Sequence, residues 1–264
     1  MQAAVIGGSI DLLSGLVAAG IVPHVVRGRG VPDRLPDGVV AVEAPLDLFA
    51  ALGPPRVYLM EAPPGPGVDA ILEAAYPTME PGDAVVDLTG SWWCDTLRRC
   101  RRMRHRSLWY VDAARLVRGG RPVLVAAGDP GGIGIALPVL AAWAAPGAAL
   151  HVGGPGLAHF ALAVEEAARA SIHHAQSEAA QMLQAWPGPA DHDRIDALWP
   201  LPPPVDAGGR AAWVPEDALR LEASLPHLAQ ATMLVLAEAL DARRPAPVPP
   251  KLGPFGLPDE ILEG

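Results

Sequence analysis

Short apolar runs alternate with amphipathic stretches through the first half of the chain. Ala3–Gly7, Val22–Arg27, Arg56–Met60, Ala84–Leu88, Leu108–Val111, Pro122–Ala127 and Ala149–Val152 read as strands. Between them, Ile10, Leu13 and Val17 share one face of a short helix. Helical patterns also cover Leu46–Leu52, Val68–Tyr76, Trp92–Met103 and Ile133–Ala144. This alternation predicts a mostly parallel sheet with helices on both faces. The second half changes character. Gly154-Pro155-Gly156 opens a long helix over Leu157–Trp186, a Pro-rich linker fills 187–208, and helices follow at about 215–223 and 226–243. The boundary falls near residue 153, giving one unit over 1–153 and an all-helical one over 154–264.

Composition narrows the chemistry. The 264 residues carry a net charge of -9, which argues against a nucleic-acid partner. No apolar run is long enough for a membrane span, and the first residues read as a strand and not as a leader, so a cytoplasmic location is expected. Cys94 and Cys100, six apart on a helix, point away from each other, suit neither a disulfide nor a metal pair, and read as free thiols. The arginines at 98, 99, 101, 102, 104 and 106 read as a solvated face or as a surface for a phosphate or an acidic partner. Lys251 is the sole lysine and asparagine is absent, so the chain lacks two side chains on which a site could be built.

The first strand runs into Gly7-Gly8-Ser9 and a helix, where a Rossmann domain puts its phosphate loop. Of the three glycines in G-x-G-x-x-G, only the first is kept: Ser9 and Leu12 hold the other two places, and Asp11 adds a carboxylate to the first helical turn. Arg27 and Arg29, after the second strand, suit the extra phosphate of NADP better than the ribose of NAD. The fold expected is α/β: a Rossmann-like, doubly wound parallel sheet followed by an all-α domain. Its cofactor contacts would come from Gly7, Gly8, Ser9, Arg27, Arg29, Met60 and Ala62, with NADP possible but doubtful.

Ordered segments resemble the short bacterial type of 6-phosphogluconate dehydrogenase, in the β-hydroxyacid dehydrogenase superfamily. These are Arg56–Met60 with Ala62-Pro63, Glu80–Asp87, Leu88-Thr89-Gly90-Ser91-Trp92-Trp93, Tyr110-Val111-Asp112, Gly154–Phe160, Trp213–Ala218 and Ser224-Leu225-Pro226. Registered on His159-Phe160, the resemblance puts Leu162 at the family's lysine base, Glu165 and Glu166 at its His-Asn pair, and Arg169 at its acid. Gly90 stands at the asparagine of Gly-Gly-Asn-Ser, and only Ser91 of that motif is kept. The Ser-Gly-Gly substrate loop is absent after Asp112. Neither Leu162 nor Arg169 can do the proton transfers of oxidative decarboxylation.

On the long helix, His159, Leu162 or Ala163, Glu166, Arg169 or Ala170, and His173 fall at three-to-four spacing, and the resemblance turns that face into the cleft. Glu166 and Arg169 are placed either to pair with each other or to serve a rebuilt site. There Glu166 or His173 would move protons and Arg169 would hold a carboxylate or phosphate, with Ser91, Thr89 and His159 alongside. Three functions fit: a re-purposed enzyme of specialised metabolism doing acid–base chemistry (elimination, isomerisation or cyclisation), an NADP-dependent reductase, or a non-catalytic relative. The resemblance implies a homodimer through the helical half, and the apolar stripe from Leu225 through Met233, Leu234, Val235, Leu236 and Leu240 agrees with it.

Overall fold

The structure is a computed structural model and describes residues 1–27, 31–118, 120–189, 191, 193–194 and 210–241. Eight strands form one sheet in the order β3-β2-β1-β4-β5-β6-β7-β8. They are β1 (Gln2–Gly7), β2 (Val22–Val26), β3 (Val40–Val42), β4 (Val57–Glu61), β5 (Ala84–Asp87), β6 (Trp109–Arg118), β7 (Arg121–Gly128) and β8 (Ala149–Gly153). All neighbours pair in parallel except β6 and β7. The strand order reverses direction at β1, with β2 and β3 on one side and β4 to β8 on the other. This is the switch point at which doubly wound sheets leave a crevice at their carboxyl ends.

Period-two alternation sorts the sheet into two cores. Ala3, Val5, Val57, Leu59, Val86 and Val111 face α1 (Ile10–Ala18) and α5 (Pro130–Trp143), meeting Leu12, Leu13, Leu16, Ile133, Ala136 and Leu140. Ala4, Tyr58, Met60, Val85 and Tyr110 face α2 (Pro45–Ala51), α3 (Gly67–Ala75) and α4 (Trp93–Arg104). Gly131 and Gly132 let α5 lie against β6: a Cβ at either would come within 2.5 Å and 2.9 Å of Trp109.

The helical half is α6 (Leu157–Gln184), α7 (Trp213–Arg220) and α8 (Pro226–Asp241). Small residues on α6 set its packing: Ala158 lies against Ala114, Leu116 and Val125 of the hairpin, while Ala163 and Ala167 meet Ala211 and Val214. Gly156 takes the positive φ of 91° that starts α6. Asp112 holds that start, accepting from the N–H groups of Gly156 (2.7 Å), Ala158 (2.9 Å) and His159 (3.1 Å). A carboxylate there satisfies orphan donors and complements the helix dipole.

The structure departs from the sequence expectation at three places. The strand expected to end at Val111 continues to Arg118 as a hairpin with β7, because the run Ala113–Val117 alternates and finds a partner. The three-residue edge strand β3 was too short to signal itself. The arginines of α4 are also not a simple solvated face. Arg98 pairs with Asp69 and Asp95, Arg102 with Glu73 and Arg104 with Asp129, while Arg99 is buried against Asp69 and Ser91. Cys94 and Cys100 are free, and burial pushes both thiols up. No helix among the described residues is long and apolar enough to cross a membrane.

Candidate active site

The β1–α1 loop has the shape of a phosphate loop and different contents. Gly7 and Gly8 have positive φ (77° and 109°), and a Cβ on Gly7 would fall 2.1 Å from the Glu61 carbonyl. Ser9 caps α1, its hydroxyl accepting from Leu12 N–H at 3.2 Å. The Ser9 N–H donates to Glu61 Oε2 at 2.6 Å. Glu61 ends β4, and the parallel register sets it beside Gly7. A pyrophosphate at this helix start would therefore meet a carboxylate that already takes a loop donor, with Asp11 close behind; these residues do not fit it. Arg27 is exposed and pairs with Glu43 at 3.2 Å. Arg29 lies outside the described residues. Met60 is fully buried in the core under α2 and α3 and can touch no cofactor there, because even positions of β4 face that core. Ala62 follows β4, half-buried.

Beside the loop, a cavity of about 430 Å³ opens between the carboxyl ends of the strands and α6. Ser9, Asp11, Glu61 and Thr89 line the sheet side; Leu162, Glu165, Glu166 and Arg169 come from α6, and Arg115, Trp143 and Arg210 close it. Gly90 (φ 63°) lets Leu162 and Arg210 approach, since a Cβ there would be 3.0 Å from Leu162 Cδ2 and 3.2 Å from Arg210 Cδ. The Arg115 guanidinium lies 5.1 Å from the Trp143 ring centroid, as a cation on an aromatic face.

Glu166 does not pair with Arg169. Arg210 Nε reaches both of its carboxylate oxygens (2.8 and 3.0 Å) and Nη2 adds a 2.7 Å contact. The bidentate contact thus comes from another segment and not from the i,i+3 neighbour. Arg169 is left exposed at the cavity edge with no ion pair among the described residues. Glu165 accepts from Val117 N–H at 2.9 Å through Oε1; its Oε2 is buried with no partner among the described residues.

The remaining expected residues stand apart from the cavity wall. His159 is buried, its Nδ1 2.8 Å from Thr96 Oγ1 and its Nε2 3.1 Å from the Asp87 carbonyl, so it ties α6 to α4 and β5. His173 lies one turn beyond Arg169, about 6 Å further along the helix, and does not line the cavity. Ser91 is buried behind Thr89, bonded to Thr89 Oγ1 at 2.6 Å and to Arg99 Nη1 at 2.8 Å. Of the six side chains first singled out for chemistry, Thr89, Glu166 and Arg169 thus share the cavity, Ser91 supports Thr89, and His159 and His173 lie elsewhere. Glu61, Arg115, Trp143, Glu165 and Arg210 also line the cavity and were not singled out for chemistry by the sequence. Arg210 follows a linker and belongs to no motif, and Arg115 enters only because β6 runs long.

No protein-family model matches the chain. The 6-phosphogluconate dehydrogenase-like protein YqeC of Bacillus subtilis (strain 168) is 21% identical over 217 residues, spanning 71% of this chain and 73% of its own. The chain is a weak, divergent relative of that protein, and its fold matches that of the β-hydroxyacid dehydrogenases. The decarboxylating 6-phosphogluconate dehydrogenase of Ceratitis capitata is 30% identical over 98 residues, 35% of this chain and 20% of its own length. Among solved folds of the superfamily, the 3-hydroxyisobutyrate dehydrogenase of Salmonella typhimurium superposes with a TM-score of 0.67 at 14% identity, over 91% of this chain and 95% of that one. Plasmodium falciparum 6-phosphogluconate dehydrogenase, solved alone, with NADP+ and with 6-phosphogluconate, gives 0.71 at 13% identity, over 92% of this chain and 64% of that one. The chain therefore spans under two thirds of that dehydrogenase.

Proposed function

We propose that this chain is a re-purposed enzyme that performs acid–base chemistry, such as elimination, isomerisation or cyclisation, on a small anionic substrate in the cavity under α6. The observation that carries it is the pair Glu165 and Arg169. They sit one turn apart on the cavity wall, a carboxylate with a buried, unpartnered oxygen beside a cation with no ion pair among the described residues. An unsatisfied buried carboxylate oxygen is costly unless a proton or a ligand donor meets it. Arg169 binds the substrate's carboxylate or phosphate, Arg115 adds a second positive charge, Thr89 offers a hydrogen bond, and Glu165 takes or returns the proton. Glu166, held by Arg210, shapes the wall and is not the proton carrier. Leu162 at the resemblance's lysine position supports loss of the ancestral oxidation, since a hydrocarbon cannot accept a hydroxyl proton.

The test is a thermal-shift panel of small hydroxy, keto and phosphorylated acids, alongside an assay of 6-phosphogluconate oxidation with NADP+. We expect no oxidation and at least one stabilising anion, whose effect Arg169→Ala abolishes. Turnover of 6-phosphogluconate, or anion binding indifferent to Arg169, would sink the reading. In this reading the helical half self-associates, because Met182, Leu183, Trp186, Met233 and Leu234 leave apolar surface uncovered on it.

A further inference from the structure

We infer that Glu61 is a built-in replacement for the cofactor's pyrophosphate, so that the β1–α1 site is permanently filled by the chain's own carboxylate and no dinucleotide binds there. Three observations converge. First, the loop geometry persists: Gly7 and Gly8 keep the left-handed turns that let backbone pass close to a bound group, and α1 begins directly after Ser9. Second, what passes close is β4. The Glu61 carbonyl occupies the space beyond Gly7, and the Glu61 carboxylate takes the Ser9 N–H at 2.6 Å. Third, another donor of the first turn, Leu12 N–H, is spent on Ser9 Oγ, and Asp11 adds a second acid to that turn.

A helix start of this kind attracts negative charge through its free N–H groups and a dipole equivalent to about half a positive charge. A carboxylate fixed to the neighbouring strand end meets that attraction within the molecule and at no cost in lost translational freedom. A diphosphate would have to displace it and would stand against Glu61 and Asp11, both acids on the same wall of the cavity. Arg27 gives no compensating pull, being paired with Glu43 on the exposed end of β2. The consequence for the cavity is a change of sign. The wall that would carry the phosphates of a cofactor here carries two carboxylates, opposite the arginines of α6 and β6.

The experiment is calorimetric titration of the full chain, at low salt, with NADPH, NADH and inorganic pyrophosphate in turn, for the wild type, Glu61→Gln and Glu61→Ala. Circular dichroism establishes that each variant is folded. The wild type is expected to show no saturable binding up to the order of 1 mM of any of the three, a range in which a competent helix-start phosphate site would register. Glu61→Ala, with the loop donor freed and one charge removed, is expected to bind pyrophosphate at least about tenfold more tightly than the wild type. Glu61→Gln keeps an acceptor in place and falls between. Saturable binding of either nicotinamide cofactor by the wild type would overturn the inference, as would a folded Glu61→Ala that gains no pyrophosphate affinity. Neither outcome touches the role proposed for Arg169, which the anion panel tests by itself.

Discussion

Asp112 joins the two halves of the molecule through one side chain. It leaves the middle of β6 and accepts three N–H groups at the start of α6, at 0% exposure. Burial pushes its carboxyl above the usual range, while the positive field of His159 and the donors of α6 pull it down. Asp112→Ala strands those donors, so it should lower unfolding free energy by about 2–3 kcal/mol, the scale of a lost buried charge-assisted contact. Asp112→Asn, which keeps an acceptor, should cost less. Urea midpoints of both variants check the order. At this same scale Glu165 and Glu166, adjacent in sequence, part company: one is clamped by a guanidinium and the other keeps an open oxygen.

The pair α3–α4 is fastened by charge across its exposed seam. Asp69 accepts from Arg98 at 3.0 and 2.8 Å and from Arg99 at 3.2 Å. The Arg98 guanidinium, opposed by partial burial and aided by Arg99, lowers the Asp69 carboxyl from 3.8 to about 2. A carboxyl depressed in the folded state favours folding above its unfolded value, and that contribution fades as pH falls through the folded one. Stability from this seam is therefore whole at neutral pH and is lost between about pH 4 and pH 2. Asp69→Asn should lower the thermal midpoint at pH 7 and flatten its fall across that acid window, with little difference left below it. Midpoints measured across the window would show an unchanged slope if Asp69 played no part. The seam matters to the site because Arg99 also holds Ser91, and Ser91 holds Thr89.

On the scale of the whole molecule, the sheet supplies a rigid floor and α6 a roof, and the cavity lies where a parallel sheet ends its strands. The roof extends past the sheet with Met182, Leu183 and Trp186 exposed, and α8 presents Met233 and Leu234. A second copy of the chain covering these residues should give a dimer mass in light scattering after gel filtration. Met233→Glu combined with Leu234→Glu should halve that mass without loss of helicity. A wild type that elutes as a monomer at all concentrations would remove the dimer from the functional reading.

Much of this architecture is legible along the chain because it follows from local periods. Short apolar runs at Ala3–Gly7, Arg56–Met60 and Ala84–Leu88 mark strands, and few breakers over Leu157–Trp186 mark a long helix. Residue types alone also exclude a lysine base on α6 and an asparagine at Gly90, since no fold can supply a side chain that the chain lacks. The partners of the polar residues were not legible. Glu166 meets Arg210 across 44 positions, Ser9 meets Glu61 across 52 and His159 meets Thr96 across 63. Each of those meetings depends on strand register and on where α6 crosses the hairpin. Hydrophobic period chooses elements locally, whereas charge pairing is chosen by whichever groups the packed elements bring within about 3 Å of each other. The phosphate loop shows both at once. Its glycines could be read from the order of residues, but the carboxylate that fills it could be found only in the folded sheet.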